Sequence, residues 1–147
     1  VLASIVRGFL VGAGIYLVIL IFFDMPLQSL SWVFIFALIG NGFLGVLGVI
    51  AAIWAEKFDQ LAAFQNFVIL PLTFLSGVFY TIHSLPPFWE SISRFNPFFY
   101  VIDGFRYGFF GISDVSPYFS LMIVGIGFLA VSWVTLRMLK TGYKLRQ

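Results

Sequence analysis

The chain has 147 residues, 61% of them apolar and 10% charged, with a formal net charge of +2. Soluble domains carry about 45–50% apolar and about 25% charged residues, and so small an interior does not hide 20 Phe and 4 Trp. A water-soluble globule is therefore excluded; with no cysteine present, so are disulfides, thiolate metal sites and cysteine nucleophiles.

Leaving out the single His, no charge falls within 25–55, 60–89 or 115–136. Each of these stretches exceeds the roughly 20 residues that a helix needs to cross a bilayer. Apolar runs and their breakers predict four spans, at about 2–23, 31–54, 64–82 and 118–139. Asp24-Met25-Pro26 stops the first. The chain opens on Val1 inside apolar sequence, without the basic n-region and cleavage site of a signal peptide. That beginning predicts a piece of a longer protein. Small residues recur four apart: Ser4, Gly8 and Gly12 on the first helix, and Ala37, Asn41, Gly45 and Gly48/Ala52 on the second. Backbones approach closely at such positions, so Gly8, Gly12, Gly45 and Gly48 are candidates for helix packing or a dimer contact.

Asn41 lies mid-span, where an amide prefers a protein partner or a wet cavity to lipid. It reads as structural glue or, alternatively, as part of a transport path. Pro71 falls inside the third span and predicts a kink, static or hinge-like.

The stretch 83–117 is too broken for one span and reads as two short helices, about 86–95 and 97–111. Ser84 is a plausible cap and Pro86-Pro87 suit a first turn. Phe88, Trp89, Ile92 and Phe95 share one face, with Glu90, Ser91 and Arg94 opposite, the pattern of a helix lying in the membrane interface. Glu90 and Arg94 are spaced as an i,i+4 pair. Asn96-Pro97 is a strong start signal for the second helix. On it, Tyr100, Asp103, Arg106 and Tyr107 occupy one arc. An Asp103–Arg106 ion pair there would fix the fold or contact substrate or a second subunit.

Arg137, Lys140, Lys144 and Arg146 cluster at the C-terminal end, which the positive-inside rule places in the cytoplasm. Counting back puts Arg7 and Lys57 inside as well, and Asp24, Glu90, Asp103 and Asp114 outside. The expected fold is all-α integral membrane: one transmembrane domain over 1–147, four spans, and two outer re-entrant or interfacial helices between the third and fourth.

Four elements in order then carry a resemblance: Leu70 to Tyr80 (LPLTFLSGVFY), Leu85-Pro86-Pro87-Phe88-Trp89, Asn96-Pro97, and Gly104-Phe105-Arg106-Tyr107-Gly108. This series resembles the C-terminal signature of ABC-2-type permeases, the membrane subunits of ATP-binding-cassette exporters, along essentially the whole chain. The resemblance implies six spans, of which these are the third to sixth, with 84–111 as the re-entrant pair. It implies a permease homodimer in membrane lipid on two ATPase subunits, ATP and magnesium being held by those partners and no cofactor by this chain. The first two spans and the segment that docks on the ATPase would precede Val1.

The residues agree with a non-enzymatic role. No G-x-x-x-x-G-K-[ST] loop is present, so ATP hydrolysis falls to another chain. His83 is the single His, and no motif sets it in geometry with Ser84 and Asp103. Outer carboxylates match no metal-site spacing, and the small basic excess says nothing for nucleic acid. A proton- or ion-coupled transporter needs ionisable groups mid-membrane, and these spans offer only Asn41. The reading is an inner-membrane export permease with aromatic, uncharged walls suited to an amphipathic or lipid-linked cargo. A non-transporting interaction or assembly module comes second, and an intramembrane enzyme last.

Overall fold

A computed structural model of the chain describes residues 1–24, 26–78 and 80–142. Met25 of the first stop signal, Phe79 of the third predicted span, and Lys144 and Arg146 of the basic cluster lie outside the described residues. The described residues are helical and contain no strand: α1 Leu2–Phe22, α2 Leu30–Trp54, α3 Phe58–Phe64, a π-helical turn Gln65–Ile69, α4 Leu70–Phe74, a 3-10 turn Ile82–Ser84, α5 Pro87–Arg94, α6 Pro97–Phe110 and α7 Pro117–Thr141. Three of them, α1, α2 and α7, are long and apolar enough to cross a membrane.

The third apolar segment differs from its predicted bounds of 64–82: it is helical over Phe58–Phe74. The early start follows from local chemistry, which outweighs the charges at 56–59. The Gln60 side chain accepts a hydrogen bond from Glu56 N at 2.7 Å, and Asp59 in the first turn complements the positive end of the helix. The early stop comes where Leu75 leaves helical geometry and Gly77 adopts φ +80°, a left-handed conformation that costs glycine little. Pro71 does not simply kink a straight rod. The π-helical turn runs up to Ile69, and Leu70 N bonds Gln65 O; the wider turn gives room where a proline ring crowds the preceding carbonyl.

Packing centres on α2, α6 and α7, with α1 resting on α2. Helix α6 runs antiparallel to α2. Cβ atoms built on three glycines would fall 2.8 Å from Val101 at Gly40, 2.3 Å from Phe36 at Gly104 and 2.6 Å from Val33 at Gly108. Phe98, in the first turn of α6, packs edge-on against Phe43, ring centroids 6.2 Å apart. Phe43 lies 13 residues into α2, roughly 20 Å along its axis at about 1.5 Å per residue. Helix α6 thus starts level with the middle of α2 and climbs back to the end where α2 begins.

There its last carbonyls are taken up by the loop before α2: Ser29 N bonds Gly108 O at 2.9 Å and Gln28 N bonds Phe109 O at 3.2 Å. Gly111, at φ +70°, closes the helix. Trp32 joins the three central helices, stacked on Phe36 and edge-on to Tyr107 of α6 and Tyr118 of α7.

Of the four glycines expected in packing, Gly8 and Gly45 sit in the α1–α2 contact, against Asn41 and Ser4; Gly12 and Gly48 face open space. Gly104→Leu should therefore lower stability by about 1–3 kcal/mol through overpacking. Gly12→Leu should stay within about 0.5 kcal/mol of the parent. Thermal unfolding of both variants in one detergent checks the contrast.

Candidate functional site

The polar residues of the short helices gather where α4, α5, α6 and the 111–116 loop meet. Asn96, 3% exposed, makes the junction. Its Oδ1 accepts from Phe98 N at 3.0 Å, capping α6 as expected. Its Nδ2 donates to Leu72 O, a bond that ties α6 to α4. The Tyr100 hydroxyl donates to Arg94 O at 2.7 Å and holds the end of α5, while its ring packs between Phe99 and Phe119. Ser84 does not cap α5: its hydroxyl donates to Thr81 O at 2.6 Å, and Pro86 stands at the cap position.

Asp103 is 1% exposed. Its two carboxylate oxygens accept from Asp114 N at 2.7 Å and Val115 N at 3.1 Å, so the loop after α6 folds back along the helix before α7 begins. The expected Asp103–Arg106 pair is long, 4.0 Å. Arg106 instead meets Asp114 Oδ2 at 3.1 Å and donates to Gly77 O at 2.7 Å. The reason is geometric: the Asp103 oxygens are turned to the backbone N–H groups of the returning loop, and the guanidinium fork reaches past them to a second carboxylate and a carbonyl.

Arg106 and Asn96 thus both bind carbonyls at the end of the third helical run, Gly77 and Leu72. Tyr107 stands apart from this polar cluster, edge-on to Trp32 with ring centroids 5.8 Å apart. Asn41 is not brought to it either. Its amide lies against Gly8, in an open groove of about 440 Å³ that Ser4, Leu44, Gly45 and Gly48 also line. Glu90 and Arg94 pair at 2.7 Å as their spacing predicts, with His83 Nδ1 3.7 Å from the same oxygen. The aromatic face of α5 (Phe88, Trp89, Ile92 and Phe95) is exposed within this chain, as an interfacial helix requires.

Sequence reasoning missed Asp114 and Gly77 as partners of Arg106, and Trp32 as the three-helix junction. The four-residue spacing of Gly104 and Gly108 was a readable signal for the close approach to α2, since it matches the packing pattern used elsewhere in the chain.

A family model for the ABC-2 type transporter matches residues 1–110, which include α1, α2, the π-interrupted third run and both short helices. The chain belongs to the ABC-2 type transporter family. It is similar to "Inner membrane transport permease YadH" of Escherichia coli (strain K12), 38% identical over 135 residues, which cover 88% of this chain and 52% of that protein. It is also similar to "Capsule polysaccharide export inner-membrane protein BexB" of Haemophilus influenzae, 33% identical over 119 residues, 79% of this chain and 40% of that protein. "Nodulation protein J" of Rhizobium leguminosarum bv. trifolii is 32% identical over 101 residues, 68% and 38% of the two chains. The chain spans about half the length, or less, of these curated relatives. No solved structure matches it. Membership of this family and the long apolar helices make the chain a multi-pass membrane protein.

Removing the Asp103 carboxylate strands two N–H groups. Asp103→Ala should cost about 1–3 kcal/mol for each, and Asp103→Asn, which keeps one acceptor, should cost less. Arg106 and Asp114 should show a coupling of about 0.5–3 kcal/mol in a double-mutant cycle. Unfolding midpoints of the singles and the double measure both effects.

Proposed function

We propose that this chain forms part of the permease subunit of an ABC-type exporter in the inner membrane. Two copies would line the path, and ATP hydrolysis would fall to separate ATPase subunits holding ATP and magnesium. The observation that carries the reading is the family match over 1–110 together with relatives named as inner-membrane permease and export proteins. In this reading the run Phe58–Phe74 is a fourth crossing, the C-terminus is cytoplasmic, and α5 and α6 form a re-entrant pair on the outer side. The start of α6 at mid-depth of α2, and its return to the same end, support that pair.

The mechanism is alternating access. Closure of the ATPase subunits rocks the two permease halves, and a path opens along their interface. Aromatic, uncharged surfaces favour an amphipathic or lipid-linked cargo over a small ion, in keeping with the capsule polysaccharide named for one relative. Asn96 and Arg106 hold the end of the third run to the short helices, so motion of that run is transmitted to α6 and to the start of α7. Asp103 fixes the loop through which this passes.

Because the chain has no cysteine, single substitutions report sidedness directly. Glu90→Cys should react with an impermeant maleimide from outside in intact cells, and Gln60→Cys only after the inner face is exposed. Labelling of residue 90 from the cytoplasmic side alone overturns the topology. In the full transporter, Asp103→Ala and Arg106→Ala should each lower export by about tenfold or more per copy of the transporter present in the membrane. Normal export with unchanged ATPase activity in both singles removes the coupling role.

A further inference from the structure

The last turns of α7 carry basic side chains that meet no carboxylate among the described residues. The guanidinium of Arg137 lies 4.2 Å from the centre of the Trp133 ring, one turn back along the helix. Side chains on a helix lean toward its N-terminus, so at this C-terminal end the stacking draws the charge inward along the span. Tyr118 and Arg137 lie 19 residues apart on α7, roughly 28 Å at about 1.5 Å per residue, close to the hydrocarbon thickness. With Tyr118 at one boundary, Arg137 stands at the other.

Both Trp133 and Arg137 are exposed, and Lys140 follows on the same stripe. Leu129 and Leu136 extend it toward the interior as an exposed apolar surface. Helix α7 contains no Asp or Glu. Among the described residues neither Arg137 nor Lys140 meets a carboxylate. A guanidinium with one face on an indole keeps its in-plane N–H fork free for a planar or tetrahedral oxyanion. At that depth, beside acyl chains, the available oxyanion is a lipid phosphodiester.

We propose that Trp133, Arg137 and Lys140 form a binding site for the headgroup of an anionic phospholipid in the leaflet at the C-terminal end of α7. The guanidinium takes the phosphate in a forked, charge-assisted contact, Lys140 adds a second charge, and the acyl chains run along Leu136 and Leu129. The site rests on α7 crossing the membrane, and needs neither the cargo nor the ATPase partner of the reading above.

The test loads the purified protein with equal parts phosphatidylglycerol and phosphatidylethanolamine in mixed micelles, strips excess lipid gently, and weighs the bound lipid by native mass spectrometry. The parent should keep phosphatidylglycerol about fivefold or more above the supplied ratio. Arg137→Gln with Lys140→Gln should bring the ratio back near that supplied. Arg137→Lys, which keeps the charge but loses the planar fork, should fall between. A parent that binds both lipids as supplied overturns the site, and this holds even where the double variant fails to fold. A double variant with the parent's preference overturns it too, as does one that keeps its lipid but loses a co-purifying ATPase, since the stripe would then belong to a protein contact.

Discussion

The constraint on which the rest depends is the state of a helix that stops partway along its neighbours. Helix α6 begins beside Phe43, about halfway along α2, with Phe98, Phe99 and Tyr100 of its first turn buried. Unpaired backbone groups in such surroundings cost several kcal/mol each. The chain meets this at both ends. Asn96 takes up an N–H at the deep end and donates its own amide to α4, and the backbone of Gln28 and Ser29 takes up carbonyls at the other. Close approach along the length uses Gly40, Gly104 and Gly108, where an added Cβ would collide with a neighbouring side chain.

Once α6 is held in this way, the polar groups around it have few choices. Asp103 is buried with the helix and finds partners in the N–H groups of the returning loop, not in a neighbouring cation. Arg106, partly exposed, spans the gap to Gly77 and Asp114. Three segments are thus joined at one place by two carboxylates, one guanidinium and one amide. The third helical run is anchored at its end by those bonds and changes to π-helical geometry at its middle, before Pro71.

Family membership and this geometry bear on different questions. The match to ABC-2 type transporters covers residues 1–110, every helix before α7, and so speaks to class. The bonds at Asp103, Arg106 and Asn96 speak to how the short helices are held, and the Trp133–Arg137 stack on α7 to how that helix presents its charge.

The sequence by itself determined the membrane class, three of the long helices, and the two short ones with their start at Asn96-Pro97, since apolar length, proline and capping chemistry act within one segment. The order of motifs was enough for the family. Tertiary structure decided what those local rules leave open: that the third run is helical from Phe58 to Phe74, that Asn41 faces Gly8 on α1 and not the polar cluster, and that Tyr107 packs on Trp32. It also decided that Asp103 serves a loop while Arg106 serves a carbonyl and another Asp. Helical spacing places two charges on the same arc, but the nearest partner of each depends on which loop folds back over that arc. That is settled only when distant segments pack.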